Sequence, residues 1–168
     1  MRALMQDWSL TLDKILDHAA RWHGEREVVT RSVEGPVTRS SWADIHRRAK
    51  QVSHGLLELG VKPGDRVATM GWNSDRHLEA WYGAVGIGAV LHTLNPRLFL
   101  EQIVYIANHA GDEILLADPA CAPLLEELLP QCPTIRKVIF LSEALPETSF
   151  AAVAYEPWIA GRPTDTAW

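Results

Sequence analysis

The chain has 168 residues, 47% hydrophobic and 22% charged, with 11 Gly and 10 Pro, a balance that excludes a disordered tail and fits one packed domain. Its 16 Lys and Arg against 21 Asp and Glu leave a formal charge of −5, which excludes the basic footprint of a nucleic-acid binder. The only two cysteines, Cys121 and Cys132, sit in a chain large enough to need no disulfide, so the expected compartment is the reducing cytoplasm. Residues 1–8 hold no apolar core of signal-peptide length, and the longest apolar run, Ala80 to Leu91, is too short for a bilayer. The chain reads as neither secreted nor membrane-spanning.

From Thr11, the spacing of Leu12, Ile15, Leu16 and Ala19 predicts a first amphipathic helix, with Ser9 or Thr11 as cap and Gly24 as stop. The β-branched runs Glu27 to Val33 and Val37 to Arg39 flank Glu34-Gly35-Pro36, the pattern of a hairpin. Ser41-Trp42-Ala43-Asp44 resembles a capping box. It opens a helix whose stripe, Trp42, Ile45, Ala49, Val52 and Leu56, runs to Gly60. After the turn Lys62-Pro63-Gly64-Asp65 comes a strand over Arg66 to Met70. A helix follows, capped by Ser74 or Asp75 and carrying Leu78, Trp81, Tyr82 and Val85. Ala89 to Thr93 reads as a strand that Pro96 cannot extend, and Phe99, Ile103, Ile106 and Ala107 recur at helical spacing before Gly111. Glu113 to Ala117 reads as a buried strand, Leu124, Leu125 and Leu128 as a shorter helix, and Val138 to Leu141 as the last clear strand. Beyond it, Pro146, Pro157, Gly161, Pro163 and Asp165 mark a loop-rich tail of falling order.

Strands alternating with helices imply βαβ units. The expected fold class is therefore α/β, a mostly parallel sheet with helices on both faces, preceded by a helix and a β-hairpin. No repeat or low-complexity tract is present.

Several patterns suggest chemistry and are better explained by structure. Gly83, Gly86 and Gly88 form GxxGxG, but they close a helix and precede a strand, whereas a dinucleotide fingerprint follows a strand and opens a helix. Close helix packing is the reading adopted. No GxxxxGK[ST] and no GxSxG occurs. The seven histidines lack metal-ligand spacing, and no metal site is expected. Cys121 has no nearby cation in sequence to make it a nucleophile. Arg39, Arg47, Arg48 and Lys50 form the densest basic cluster, and Arg47, Arg48 and Lys50 fall off the apolar stripe of the second helix as a solvated face does. Of the seven tryptophans, Trp42 and Trp81 lie on apolar stripes, while Trp8, Trp158 and Trp168 have no periodic partner and suit a surface patch. The best site candidate is where two predicted parallel strands end, at Trp72 and Asn73 and at His92 to Asn95, because open α/β sheets form ligand crevices there. The competing explanation is that Asn73 and Asn95 only close turns with their side chains. A small-ligand-binding protein of this fold stays open by fold analogy.

The strings HGEREVVTR, LGVKPGDRVATMGWNSDRHLEAWYG and GIGAVLHTLNPRL carry the reading further. From Trp8 to Phe150 the chain resembles the N-terminal portion of adenylate-forming acyl-CoA ligases, and within them the medium- and long-chain fatty-acyl-CoA synthetases. Leu100 departs from the Pro that often follows in that family. The resemblance implies a carboxylate that attacks ATP to give an acyl-adenylate and pyrophosphate, then a coenzyme A thiol that displaces AMP, with Mg assisting the first step. That chemistry needs a Ser/Thr/Gly-rich phosphate loop, a carboxylate for the metal and a charge-balancing Lys. Neither a loop of the family's TSGTTGxPKG type nor its catalytic Lys motif occurs between Met1 and Trp168. The expectation is therefore residues 1–150 as the N-terminal α/β subdomain and 151–168 as a linker toward an adenylation core. No catalytic residue is expected in this segment, which should be inactive and bind no cofactor alone, while the whole enzyme would use fatty acid, ATP, Mg and coenzyme A. By the same resemblance, Trp72, Asn73, His92, Thr93, Asn95 and Arg97 would line or support a crevice near the acyl and pantetheine path. The alternative is a non-catalytic module of the same family, forming a homodimer.

Overall fold

The computed structural model describes residues 8–31 and 35–168. The readings of residues 1–7 and 32–34 lie outside the described residues. Helix α1 (Asp13–His23) leads to the antiparallel pair β1 (Glu27–Arg31) and β2 (Val37–Ser41), then to α2 (Trp42–Glu58). There follow β3 (Arg66–Met70), α3 (Asp75–Gly86), β4 (Val90–Thr93), α4 (Leu100–Ala110), β5 (Ile114–Ala117), α5 (Ala122–Leu128), β6 (Lys137–Phe140), β7 (Val153–Ala154) and α6 (Tyr155–Ile159). The five later strands form one parallel sheet in the order β4-β3-β5-β6-β7. The fold is α/β with helices on both faces.

Alternation along the strands divides the core. Val67, Ile114, Leu116 and Ile139 face α2, α3 and α6 through Val52, Leu56, Ala80, Ala84, Tyr155 and Ile159. Ala68, Met70, Leu115, Ala117, Val138 and Phe140 face α4 and α5 through Ile103, Ala107, Leu125 and Leu128. Helix α1 lies outside α2 and adds a satellite core of Leu16, Ile45 and Ala49. From β3 the chain leaves through α3 on one face, and from β4 it returns through α4 on the other face to β5. The β3/β5 boundary is thus the topological switch point, where crevices form beyond the strand ends.

The local signals mostly act as read. Ser41 Oγ accepts Asp44 N–H at 3.1 Å while the Asp44 carboxylate accepts Ser41 N–H at 3.2 Å, a complete capping box. Ser74, not Asp75, caps α3, its Oγ accepting His77 N–H at 3.2 Å. Helix α4 starts at Leu100 without the family's Pro, and Gln102 Oε1 accepts Phe99 N–H at 3.2 Å instead. Helix α1 differs from expectation: neither Ser9 nor Thr11 caps it, and Leu12 occupies the cap position with no side-chain bond.

The largest difference is the tail. Residues read as loop-rich with falling order form β7 and α6, and the chain beyond them is strapped to α2. Lys50 Nζ donates to Thr166 O at 2.8 Å, Gln51 Nε2 to Arg162 O at 3.1 Å, and Trp168 Nε1 to Ser53 Oγ at 2.8 Å. Two strand residues and a five-residue helix leave no periodicity to read, so the sequence signal fails there. Trp158 and Trp168, expected to lack a periodic partner, are partly buried and pack on Gly55 and Gly86 against the core.

The glycines of GxxGxG serve packing. A Cβ on Gly83 would lie 2.7 Å from Val52 Cβ and 2.9 Å from Ala49 O, so this glycine lets α3 touch the α2 backbone. Gly86 seats the Trp168 ring, and Gly88 turns the chain at φ +77°.

Candidate functional site

Beyond β3 and β4, Gly71, Trp72, Thr93, Leu94, Asn95, Pro96 and Arg97 line an open crevice of about 300 Å³. Trp72 is 46% exposed, and the Arg97 guanidinium lies 5.3 Å from its ring centroid, a cation–π pair at the crevice wall. Asn95 Oδ1 accepts Arg97 N–H at 3.0 Å, so this side chain does close a turn, and in doing so it sets the backbone that carries Arg97. Of the six candidate residues, four meet here: Trp72, Thr93, Asn95 and Arg97. Asn73 points elsewhere, lining a separate cavity of about 480 Å³ with Val28, Thr30, Leu78, Trp81 and Tyr82. His92 is not among the crevice residues. Its Nδ1 lies 2.8 and 2.9 Å from the two oxygens of buried Asp112, which precedes β5. Burial lifts the Asp112 carboxyl above its usual range against the pull of that ring.

The Trp72 turn is held from the sheet. Asp118, just past β5 and 1% exposed, accepts Trp72 N–H, and Asp118 N–H donates to Met70 O at 2.9 Å. Gly71 leaves room for that carboxylate, since a Cβ there would stand 3.2 Å from Asp118 Oδ2. His77 Nδ1 meets Trp72 O at 3.0 Å and its Nε2 meets Thr69 Oγ1 at 3.0 Å.

A second polar assembly joins α2, α3 and α6. Arg48 Nε donates to Glu79 Oε1 at 2.7 Å, and its two terminal nitrogens donate to Glu156 at 2.8 and 3.1 Å. Tyr155, fully buried, donates its hydroxyl to Glu79 Oε2 at 2.8 Å, and Arg76 Nε donates to Glu156 Oε1 at 2.7 Å. Burial pushes the Glu79 carboxyl up to about 7 despite Arg48 and Tyr155. Burial also opposes the charge on Glu156, but the two guanidinium groups hold its carboxyl below the usual range. Arg48 is thus an interior ion-pair residue, and its expected place on a solvated face is corrected; charge spacing on one helix does not show what a neighbouring helix offers. Lys50 likewise sits over the Trp168 ring, 3.8 Å from its centroid. Arg39 and Arg47 do lie outside, paired with Glu27 and Asp44.

Among the described residues, no group of three or more His, Cys, Asp and Glu is placed to hold a metal. No described helix is long and apolar enough to cross a membrane. Burial pushes the Cys121 thiol up to about 11, far from a reactive thiolate.

The profile of the AMP-binding enzyme family matches residues 16–167. This chain belongs to that family. It is 38% identical over 162 residues to a medium-chain-fatty-acid–CoA ligase of Ectopseudomonas oleovorans, covering 95% of this chain and 30% of the relative. It is 45% identical over 152 residues to a long-chain-fatty-acid–CoA ligase of Thermus thermophilus, covering 90% and 28%. An anthranilate CoA ligase solved with anthranoyl-AMP shares the fold, with a TM-score of 0.78 and 20% identity over 97% of this chain and 30% of that one. The chain therefore spans about 30% of the length of the curated relatives it matches.

The sequence reading missed His77, Asp118 and the Arg48 network. One signal was available for the network: Glu79 lies beside Ala80, Gly83 and Ala84, the small-residue face of α3, where a charge has to find a partner. Asp118 and His77 gave none, since they hold the backbone of a turn and, for His77, a strand hydroxyl eight residues back.

Proposed function

We propose that this chain is the N-terminal portion of an ATP-dependent fatty acid:CoA ligase, which adenylates a carboxylate and then transfers the acyl group to the coenzyme A thiol. The similarity to medium- and long-chain fatty-acid–CoA ligases over 90–95% of the chain carries this reading. Fatty acid, ATP, Mg and coenzyme A serve the whole enzyme in the cytoplasm, a compartment consistent with two free, buried cysteines. The segment contributes scaffold. Because β7 extends the sheet and Tyr155 and Ile159 enter its core, the subdomain runs past residue 150, and the segment after α6, docked on α2, leads toward the adenylation core. The crevice between Trp72 and Arg97 borders the acyl and pantetheine path. It offers an aromatic face and a guanidinium but no nucleophile, acid or phosphate loop, so the 168 residues alone are inactive.

The test is the reading frame past the Trp168 codon. A TSGTTGxPKG-like stretch within a few tens of codons is expected. A stop codon there would overturn the reading and favour a non-catalytic dimerisation module, which exposed Leu12, Ile15 and Trp22 on α1 would suit. Light scattering that finds only monomer over a wide concentration range would remove that second reading.

A further inference from the structure

The turn that carries Trp72 is gripped at both ends of one peptide unit pair. Its N–H goes to Asp118 across the β3/β5 switch point, and its carbonyl goes to the His77 ring on the first turn of α3. A carbonyl can only accept, so His77 carries a proton on Nδ1 and donates it to Trp72 O. Its Nε2 meets the Thr69 hydroxyl, a group able to donate or accept, at 3.0 Å. Thr69 is itself 1% exposed on β3, so the ring is anchored to the sheet and not merely to the loop. The turn residue facing solvent is thus tied to two strands and a helix, an arrangement that a loop closing only on itself does not need.

We propose that His77 and Asp118 are positioning residues that fix the Trp72 peptide, so that the Trp72–Arg97 wall of the crevice is built before a ligand arrives. This rests on the ligase reading only for what the crevice serves; the clamp itself is a property of the chain. Two consequences follow from the geometry. Losing the His77 donor frees the Trp72 carbonyl and lets the indole leave Arg97, because nothing else among the described hydrogen bonds holds that carbonyl. A side chain that restores a donor at the Nδ1 position should restore the wall, and asparagine places an amide N–H there.

The experiment is NMR on the 168-residue chain and its His77→Ala, His77→Asn and Asp118→Ala variants. In the unaltered chain, ring nitrogen shifts should report a proton on His77 Nδ1, and contacts between the Trp72 indole and the Arg97 guanidinium should be seen. In His77→Ala, exchange of the Trp72 amide should rise about tenfold, as for one lost hydrogen bond, and the Trp72–Arg97 contacts should vanish. Amides of β5 and α4 should keep their rates, and His77→Asn should recover both signals. Asp118→Ala should raise Trp72 exchange further. Unchanged Trp72 exchange with the indole contacts intact in His77→Ala overturns the proposal, as does equal acceleration of all core amides, which would make His77 a general scaffold residue. In the polypeptide made from the extended reading frame, His77→Ala should raise KM for coenzyme A about tenfold, a loss of orientation. Silence of the unaltered extended enzyme would sink the ligase reading while leaving the clamp to be judged on the NMR.

Discussion

Arg48→Ala is expected to destabilise the chain by about 3–5 kcal/mol near neutral pH, the cost of breaking a buried ion pair. Glu156 keeps Arg76 in this variant, but Glu79, 1% exposed, is left with only the Tyr155 hydroxyl. A chain of this size loses about 2–4 °C in Tm per kcal/mol, so calorimetry should register a drop of about 6–20 °C. The loss should depend on pH in a defined sense. Glu79 titrates near 4.5 when unfolded and at about 7 when folded, so its contribution is fully present below the first value and disappears as pH rises through the second. Without Arg48 the folded carboxyl binds its proton still more tightly, so the penalty grows toward alkaline pH and shrinks toward about pH 5. Arg48→Met combined with Glu79→Met should recover at least half of the single loss, because no buried charge is left stranded. A drop of under about 1 kcal/mol for Arg48→Ala, flat with pH, would make this a surface pair.

Gly83→Ala should cost about 3 kcal/mol, at the upper end of ordinary overpacking, and lower Tm by about 6–12 °C. The added methyl meets Val52 and the Ala49 carbonyl, and the backbone oxygen cannot rotate away as a side chain could. The expected response is a parting of α2 and α3, which would also loosen Ser53, whose hydroxyl donates to Gly83 O at 2.7 Å and accepts from Trp168. Val52→Ala in the same chain should return little of the loss, because it removes the γ-methyls but keeps the Val52 Cβ position at 2.7 Å and the Ala49 carbonyl. A Tm within about 2 °C of the unaltered chain would mean that the helices do not meet at Gly83.

Elements with many residues were legible in the sequence because each repeats its signal. The α2 stripe, the Ser41 capping box and the continuous apolar runs of β5 and β6 all reappear in the fold. The tail was not legible, since β7 is held by pairing with β6 and α6 by Arg48 and Arg76, contacts distant in sequence. At the candidate crevice, Trp72, Thr93 and Asn95 could be foreseen from the strand-end rule alone, and Arg97 only from the family resemblance. His92 and Asn73 could not be placed that way. Both follow or end a strand correctly, yet His92 turns to Asp112 in the turn between α4 and β5, and Asn73 faces the cavity beside β1. The rule gives the place in the sheet, while the direction of each side chain is set by which neighbour can satisfy it.

The division of labour between this scaffold and the rest of a ligase is tested most directly by ATP–pyrophosphate exchange. It would be measured with medium- and long-chain fatty acids on the purified 168-residue chain and on the polypeptide made from the extended reading frame. The expected result is exchange by the extended polypeptide and none by the 168 residues. Exchange by the 168-residue chain alone, or silence of both, would contradict it.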